Sequence, residues 1–247
     1  MFFADAVILI EGSAERILVP HFICHHFEKL NGSYLSLLEI GGSHAHRLKP
    51  LIEHLGLITL IITDLDSVDP SSKNSAVQPI RGNKYITNND TLKTWVHENN
   101  NIDELLDMDS SLKIKKYNEF FSVRVAYQCP VEVEIKSKKQ EAIPYTFEDA
   151  LVFENLNLFK DIDGSGLINK FKEAINNKKN AKDIGKAMFE ALRKGDKARF
   201  ALDLLYLKDP KELKVPTYIH EGLSWLQEQL EIKQKDILLP TTDDQGV

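Results

Sequence analysis

Four carboxylates in the first third of the chain form two pairs, each at the point where a predicted strand ends. Glu11 and Glu15 are four residues apart, and Asp64 and Asp66 are two apart, so the latter share a face if the strand continues. Parallel strands place their carboxyl ends at one edge of a sheet, so we expect both pairs to converge there. Four adjacent anions would keep some groups protonated near neutral pH. Two hard divalent cations, Mg²⁺ or Mn²⁺, remove this conflict because they prefer oxygen ligands.

The elements that must position these acids alternate between strand and helix over residues 6–66. Short β-branched apolar runs such as Ala6–Ile10 are typical of strands buried on both faces. Ser13 is predicted to cap the first helix. The predicted order is a strand at Ala6–Ile10, a helix at 14–29, a strand at 34–40, a helix at 43–55 and a strand at 58–63. Such short connections predict a parallel sheet with right-handed crossovers.

Beyond residue 66 the pattern is less regular and then becomes helical. Residues 67–90 are rich in Ser, Asn and Pro, which predicts a long loop. Further predictions are helices at 91–99 and 102–108, strand material at 120–135, a helix capped by Thr146, and helices at 167–175, 181–192, 198–207 and 218–230. The fold class is therefore α/β, a mostly parallel sheet flanked by helices with an additional helical domain. We expect a catalytic core at 1–155 with an elaboration at about 67–115, a helical domain at 156–240 and a frayed tail at 241–247.

Composition excludes several classes of protein. A chain of 247 residues with 43% hydrophobic and 28% charged residues is typical of soluble globular proteins. The longest apolar stretch, residues 55–63, is far shorter than the roughly 20 residues that cross a bilayer, so no membrane association is expected. Two cysteines, Cys24 and Cys129, are too few for a disulfide framework, which favours a reducing cytoplasm.

Basic residues are concentrated in one segment of this otherwise acidic chain. Residues 164–199 contain ten Lys and Arg but four Asp and Glu, whereas the whole chain has a net charge of −6. This separation is typical of a helical surface that follows DNA phosphates, with weak sequence preference and steep salt dependence. The alternative is an ordinary solvated helical face. The candidate DNA-binding residues are Lys178, Lys179, Lys182, Lys186, Arg193 and Lys194.

Two of the acidic runs carry a family resemblance. Residues 6–15 (AVILIEGSAE) and 60–66 (LIITDLD) resemble the Toprim signature, in which one strand ends in Glu and a later strand ends in Asp-x-Asp. The chain is more closely similar to the overcoming-lysogenization-defect (OLD) endonucleases, which have a second Glu four residues after the first. The segments that extend this similarity are 39–42 (EIGG), 86–93 (ITNNDTLK), 145–150 (YTFEDA) and 197–201 (KARFA). Together they cover the chain from about residue 4 to residue 230.

The resemblance implies a DNA endonuclease with two metal ions. It implies that Glu11, Glu15, Asp64 and Asp66 are the core metal ligands. Glu148 and Asp149 resemble the extra acids that complete the metal shell, and Lys197 resembles a family lysine that faces the scissile phosphate. Tyr145 stands where many members have Arg, so no role is carried over to that side chain.

A two-metal mechanism is consistent with these residue types. Phosphodiester hydrolysis needs an activated water, neutralised phosphate oxygens and a stabilised leaving oxygen, and two cations about 3.5–4 Å apart supply all three. In this hypothesis one ion, which activates the water, is held by Glu15 and Asp64. The second ion stabilises the leaving oxygen and has a larger ligand set. Its ligands are Glu11, Asp66 and Glu148, while Lys197 adds a fixed positive charge.

The resemblance also implies a partner outside this sequence. OLD endonucleases have an amino-terminal ATPase domain, and no Walker Gly-Lys-Ser/Thr motif occurs here. We therefore expect the chain to correspond to the carboxy-terminal nuclease half, with DNA as substrate and a separate ATPase half that also provides for oligomerisation.

The sequence is also compatible with two other functions. Residues 61–68 (IITDLDSV) also fit an aspartate-nucleophile phosphatase of the haloacid dehalogenase kind, with Asp64 as nucleophile and Asp66 as acid. That motif normally lies on the first strand, however, and Phe200 stands where a later Asp is required. The second alternative is a non-catalytic Toprim-like DNA-binding module, which would have no use for so many acids.

Overall fold

The computed structural model describes residues 3–119, 121–207 and 209–238. The strands in this part of the chain are β1 (Ala6–Ile10), β2 (Leu35–Glu39), β3 (Thr59–Ile62), β4 (Ser67–Asp69), β5 (Ser75–Ala76), β6 (Ile86–Thr87), β7 (Ile114–Lys116), β8 (Ser122–Ala126), β9 (Val131–Ile135) and β10 (Lys138–Ala142). The α-helices are α1 (Ser13–His26), α2 (Glu28–Asn31), α3 (Lys49–Leu55), α4 (Ile102–Leu106), α5 (Phe147–Glu154), α6 (Leu156–Asp161), α7 (Leu167–Asn177), α8 (Ala181–Leu192), α9 (Lys197–Leu204) and α10 (Thr217–Leu238).

A five-stranded sheet forms the centre of the molecule, in the order β2-β1-β3-β8-β7. The first four strands are parallel, and β7 pairs antiparallel with β8 at one edge. The predicted α/β class with a mostly parallel sheet is therefore confirmed. Because β1 and β3 are parallel neighbours, the residues that follow them emerge at the same edge of the sheet.

Helices cover both faces of this sheet. Alternate residues of β1 point to opposite faces: Ile8 and Ile10 join one apolar cluster, and Val7 and Leu9 join the other. The first cluster continues into α1 and α5–α10, whereas the second contains Trp95 and residues of α3 and α4. The first cluster contains residues from both sides of position 155. The division of the chain into domains at that position stays a prediction.

The first three predicted strands and the first helix are found close to their expected positions, but the cap of the helix is different. The N-cap residue of α1 is Gly12, which has no side chain to form a capping hydrogen bond, and Ser13 is already the first residue of the helix. The predicted capping role of Ser13 is therefore wrong. The predicted helix at 43–55 is also shorter. A 3₁₀ turn at Ala45–Leu48 precedes α3, because Pro50 lacks an N–H and fits only the first turn of a helix.

The segment predicted as a long loop contains a small sheet. Strands β4, β5 and β6 pair antiparallel in the order β5-β4-β6, so the loop prediction for 67–90 is wrong in this respect. Backbone pairing rather than an apolar pattern holds these two- and three-residue strands together. The following segment, expected to be helical, forms a π-helix at Leu92–Val96 and then α4.

A polar hairpin was missed by the strand prediction for 120–135. This region forms β8 and then β9, which pairs antiparallel with β10. Strand β10 has no apolar alternation, and Lys136 and Ser137 join it to β9 with φ of 52° and 60°. Two positive φ values in a two-residue connection are typical of a hairpin turn that matches strand twist.

The helical carboxy-terminal part agrees well with its amphipathic pattern. Helix α8 has the predicted bounds, and α7 and α9 differ at their ends by one to three residues, whereas α10 extends eight residues beyond its predicted end. Thr146 caps α5 as predicted, in a capping box with Asp149. The predicted tail, 241–247, lies outside the described residues. Among the described helices, none is long and apolar enough to cross a bilayer.

Candidate functional site

Two of the predicted acids meet at the carboxyl edge of the central sheet. Glu11 follows β1 and Asp64 follows β3, and the backbone N–H of Asp64 donates to Glu11 Oε1 at 3.2 Å. The Thr63 hydroxyl donates to the same oxygen. The ends of β1 and β3 are thus joined through one carboxylate oxygen. We call this edge, with the acids that surround it, the acid rim: Glu11, Glu15, Asp64, Asp66 and Glu148.

The first turns of α1 and α5 each contribute one further carboxylate to the acid rim. Glu15 lies in the first turn of α1 and is 5% exposed, and Glu148 lies in the first turn of α5 and is fully buried. Burial raises the pKa of Glu15 to about 7, and the charge of Glu148 is the next largest cause. The two side chains are therefore close enough to repel each other strongly.

The pKa values of the carboxyls that follow β1 and β3 are also raised. Burial raises the pKa of Glu11 to about 8, with a further increase from the charge of Asp66. Burial also raises the pKa of Asp64 well above its ordinary value, and the charge of Glu11 adds to this. Desolvation of a carboxylate without a matching cation has this consequence.

Asp66 reaches the acid rim by a turn of the backbone. Strand β3 ends at Ile62, and Asp66 has a φ of 47°, in the left-handed region. The expectation that Asp64 and Asp66 share a face of a continuing strand is therefore wrong. The backbone carbonyl of Asp66 accepts from the Asn88 N–H at 2.9 Å. Burial raises the pKa of the Asp66 carboxyl, whereas the Ser43 hydroxyl bonded to it has the opposite effect.

Lys197 supplies positive charge to the acid rim from α9. Its Nζ lies 2.9 Å from Glu148 Oε2, and the side chain of Glu148 is 1% exposed. Burial lowers the pKa of Lys197, but the charges of Glu148 and Asp64 outweigh it and hold the pKa above its ordinary value. The ammonium is therefore charged at any physiological pH and partly compensates the acids.

The two acids at the start of α5 have different surroundings. Asp149 accepts from the backbone N–H groups of Tyr145 and Thr146 at 2.8 and 2.7 Å, so its carboxylate is occupied by the capping box. In contrast, Glu148 Oε1 is buried and has no hydrogen-bond partner. A buried oxygen without a donor is costly, so of these two acids Glu148 is the one whose hydrogen-bonding capacity is not satisfied by the protein. The role of Asp149 as a ligand stays a prediction.

Two buried amides that the sequence did not single out orient the acids. Asn89 Nδ2 donates to Thr63 Oγ1 at 2.6 Å and to the Asp64 carbonyl at 2.7 Å. Gln128 Nε2 donates to Asp64 Oδ1 at 2.5 Å, while its Oε1 accepts from the Leu65 N–H at 2.8 Å. Both amides are fully buried. Neither is close in sequence to an acid of the acid rim, so it is the packing of their segments against β3 that reveals their contacts.

Tyr145, where many OLD members have Arg, also lies close to the acid rim. Burial raises the pKa of its phenol to about 12, and the charges of Asp66 and Asp64 contribute. Its ring packs edge-on against Phe189 of α8, with the centroids 4.8 Å apart. Tyr145 therefore brings an aromatic ring near the acids and contacts the helical region through Phe189.

The six candidate DNA-binding cations lie away from these contacts. All are exposed, and they occupy α8 and the connections on either side of it. Within the described part of the chain, their side chains form no ion pair with the acid rim; Arg193 lies 3.8 Å from Glu190 of the same helix. The structure thus places Lys197 among the acids and leaves the other cations at the surface.

The acids are neighbours, but each is held by the protein. Thr63 contacts Glu11, Gln128 contacts Asp64 and Lys197 contacts Glu148. Consistent with this, the described residues contain no group of three or more His, Cys, Asp or Glu side chains with the spacing of a formed metal site. Binding of a cation would therefore require the carboxylates to exchange these partners for the ion.

Comparison with known proteins gives a consistent assignment. Residues 2–66 match the family model described as "Overcoming lysogenization defect protein-like, TOPRIM domain". The chain is 31% identical over 236 residues to "Endonuclease GajA" of Bacillus cereus (strain HuB5-5), a match that covers 94% of this chain and 32% of that protein. The chain thus spans about a third of the length of this curated relative.

Two solved structures share the fold. The carboxy-terminal region of the Burkholderia pseudomallei OLD protein matches with a TM-score of 0.50 and 18% identity, over 92% of this chain and 99% of that one. The corresponding region of the Xanthomonas campestris pv. campestris OLD protein matches with a TM-score of 0.51 and 18% identity, over 95% and 100%. Residues 2–66 of this chain therefore match the Toprim domain of overcoming-lysogenization-defect-like proteins, and the chain has the fold of the carboxy-terminal region of OLD proteins.

Proposed function

We propose that this chain is the nuclease region of a longer protein and hydrolyses DNA phosphodiester bonds with two divalent cations, Mg²⁺ or Mn²⁺. The observation that carries the proposal is the acid rim, where five carboxylates from three segments of the chain meet beside one lysine. Four of these carboxylates have raised pKa values: Glu11, Glu15, Asp64 and Asp66. The match to a protein named as an endonuclease supports the same activity.

The residues present fit a hard divalent cation. All ligands offered are carboxylate oxygens, which such cations prefer, and Glu148 Oε1 is buried without a donor. Raised pKa values indicate that the carboxylates are destabilised as anions when no cation is bound. Glu11, Glu15, Asp64, Asp66 and Glu148 would hold the ions.

Each side chain then has a distinct task. When bound, the cations activate water and neutralise charge on the phosphate oxygens. Lys197 contributes a fixed charge toward the scissile phosphate, because its ammonium stays protonated at any working pH. Gln128 and Asn89 hold Asp64 and the end of β3 in place. Asp149 holds the first turn of α5, which positions Glu148.

The surrounding chain supports binding of a DNA backbone. In this proposal, residues 1–155 are the catalytic core and 156–240 form the helical domain. The exposed cations on and beside α8 contact phosphates without reading bases: Lys178, Lys179, Lys182, Lys186, Arg193 and Lys194. The longer protein supplies an ATPase domain, and it acts in the cytoplasm.

A phosphatase of the haloacid dehalogenase kind is less consistent with the geometry. Such an enzyme needs a carboxylate oxygen of Asp64 free to attack phosphorus. Asp64 is 7% exposed, and Gln128 occupies Oδ1 at 2.5 Å. Asp66 would be the acid in that mechanism, but Glu11, Glu15 and Glu148 have no task in it.

Cleavage of plasmid DNA tests the proposal directly. Purified chain is incubated with supercoiled plasmid and Mg²⁺, Mn²⁺, Ca²⁺ or EDTA, in parallel with Asp64→Asn and with Asp161→Asn as an exposed control. We expect cutting only with Mg²⁺ or Mn²⁺, lost in Asp64→Asn and retained in Asp161→Asn. A thermal shift on adding Mg²⁺, absent in Asp64→Asn, is expected in the same samples.

Two outcomes would overturn it. Cutting that persists at full rate in Asp64→Asn would remove the acid rim from the mechanism. Hydrolysis of a small phosphomonoester that depends on Asp64, together with intact plasmid, would indicate the phosphatase instead.

A further inference from the structure

A cavity of about 240 Å³ lies between the start of α7 and the start of α9, outside the acid rim. Its apolar side is formed by Leu167 and the fully buried ring of Phe200. The side chains that give it polar character are Ser165, Lys170, Lys194, Asp196 and Arg199.

The lining of this cavity carries excess positive charge. Three cations and a single carboxylate, that of Asp196, line the cavity. Asp196 Oδ1 accepts from the backbone N–H of Arg199 at 3.0 Å. Arg199 Nε lies 4.0 Å from Asp203, at the limit of an ion pair. In the described part of the chain, Lys170 and Lys194 form no ion pair. An anion from outside the chain is therefore the natural counterion.

The cavity is joined to the acid rim by one turn of helix. Lys197, which contacts Glu148 at 2.9 Å, lies between Asp196 and Arg199 in sequence. The connection before α9 is packed firmly against α7, since a Cβ placed on Gly195 would lie 2.3 Å from the Leu167 side chain. This close approach fixes the cavity relative to Lys197 without the need for a ligand.

We propose that this cavity binds a phosphate of the DNA strand beside the scissile phosphate and so sets which bond enters the acid rim. The proposal rests on the nuclease function above and assigns Lys170, Lys194 and Arg199 to one phosphate subsite. Lys197 and Arg199 both lie on α9, so the subsite and the acid rim are held by one helix and can contact the same DNA strand.

The chemistry of the lining supports this occupant. Arg199 offers a planar set of N–H donors that suits phosphate, and the two lysines add charge from other directions. The lining contains no base-sized aromatic slot, because Phe200 is buried. Contacts limited to the backbone hold a strand in position but carry no sequence information.

The test combines a protein variant with a modified DNA. Duplex oligonucleotides carry one neutral methylphosphonate at each position near the cut in turn, and binding is measured in Ca²⁺ without turnover. The variant Lys170→Gln/Lys194→Gln/Arg199→Gln removes the subsite. The matched control, Lys116→Gln/Lys138→Gln/Lys235→Gln, removes the same charge from exposed positions on other elements.

We expect the parent and the control to lose about tenfold in affinity at one flanking methylphosphonate. In the subsite variant this tenfold loss of affinity at the methylphosphonate disappears. The slope of the logarithm of the DNA-binding constant against the logarithm of the salt concentration also decreases in magnitude by about 0.9 more than in the control. An unchanged penalty in the subsite variant would refute the subsite while leaving the nuclease function intact. A parent chain that binds no DNA at any salt concentration would refute both.

Thermal unfolding of all variants shows whether each is folded. If the triple variant unfolds, the single variant Lys194→Gln replaces it in the same experiment, with Lys138→Gln as its control. A reduced penalty at the same phosphate is expected in Lys194→Gln, and an equal penalty in both single variants counts against the subsite.

Discussion

Lys197 of α9 and Glu148 of α5 form an ion pair of 2.9 Å at the carboxyl edge of the sheet, and Glu148 is buried while Lys197 is partly exposed. The pair links the helical part of the chain to the acid rim. Removing one partner of such a pair leaves the other charge without compensation.

Lys197→Met should therefore reduce stability and abolish cleavage. We expect a loss of roughly 1–2 kcal/mol, less than for a fully buried pair because Lys197 is partly solvated. The double variant Lys197→Met/Glu148→Gln should be less unstable than the sum of the single variants. Urea unfolding of the four proteins measures this coupling, and strict additivity would show that the pair contributes nothing.

Without a divalent cation, stability should fall as the pH rises above neutrality. The pKa values of Glu11 and Glu15, raised to about 8 and about 7, mean that the folded chain binds protons that the unfolded chain releases near 4.5. Protonation thus stabilises the fold at low pH, and this is lost as pH rises through 8. His97, with a pKa lowered to about 4, has the opposite sign but no further effect above 6.5.

We expect a decrease on the order of 2 kcal/mol between pH 6.5 and 8.5 in EDTA. The gain in stability on adding Mg²⁺ should be larger at pH 8.5, since the ligands are then already deprotonated. Chemical unfolding at the two pH values, with and without Mg²⁺, measures both effects. Stability that rises with pH in EDTA would contradict the assignment of the raised pKa values.

Glu148 and Asp149 should respond differently to the loss of a carboxylate. Asp149→Ala removes the acceptor for two backbone N–H groups, so we expect a loss of about 1–2 kcal/mol. Glu148→Gln should also lose some stability, because it removes the partner of Lys197, but unlike Asp149→Ala it should lose most of the stabilisation by Mg²⁺ as well. Calorimetric titration of both variants with Mg²⁺ separates the roles, and unchanged binding in Glu148→Gln would exclude it as a ligand.

Gln128 should act by orienting Asp64. Gln128→Leu removes the donor to Asp64 Oδ1 and the acceptor for the Leu65 N–H, and we expect weaker Mg²⁺ binding by roughly 10-fold together with slower cleavage. Gln128→Asn keeps the amide on a shorter side chain and serves as the control for polarity. Equal Mg²⁺ affinity in the parent and Gln128→Leu would show that the amide only packs.

Much of the central architecture follows from local patterns. The fully apolar β1 and β3 are recognisable because strands buried on both faces exclude polar residues, and α8 is recognisable from its amphipathic repeat. The pair β4–β6 and the strand β10 were not, because backbone hydrogen bonds stabilise them and their side chains show no apolar alternation, whereas β9 does alternate. Pro50 likewise shortened α3 in a way the apolar pattern alone did not indicate.

The sequence by itself determined which acids are available. It also determined that Glu11 and Asp64 follow parallel strands, because short apolar runs separated by single helices predict neighbouring strands that run in the same direction. Only the tertiary structure decided how each acid is held. Gln128 follows β8, Asn89 lies between β6 and the π-helix, and Lys197 begins α9, so their contacts with the acid rim depend on how those elements pack. Desolvation, which raises the pKa values of the acids, is likewise a property of that packing and not of any local run of residues.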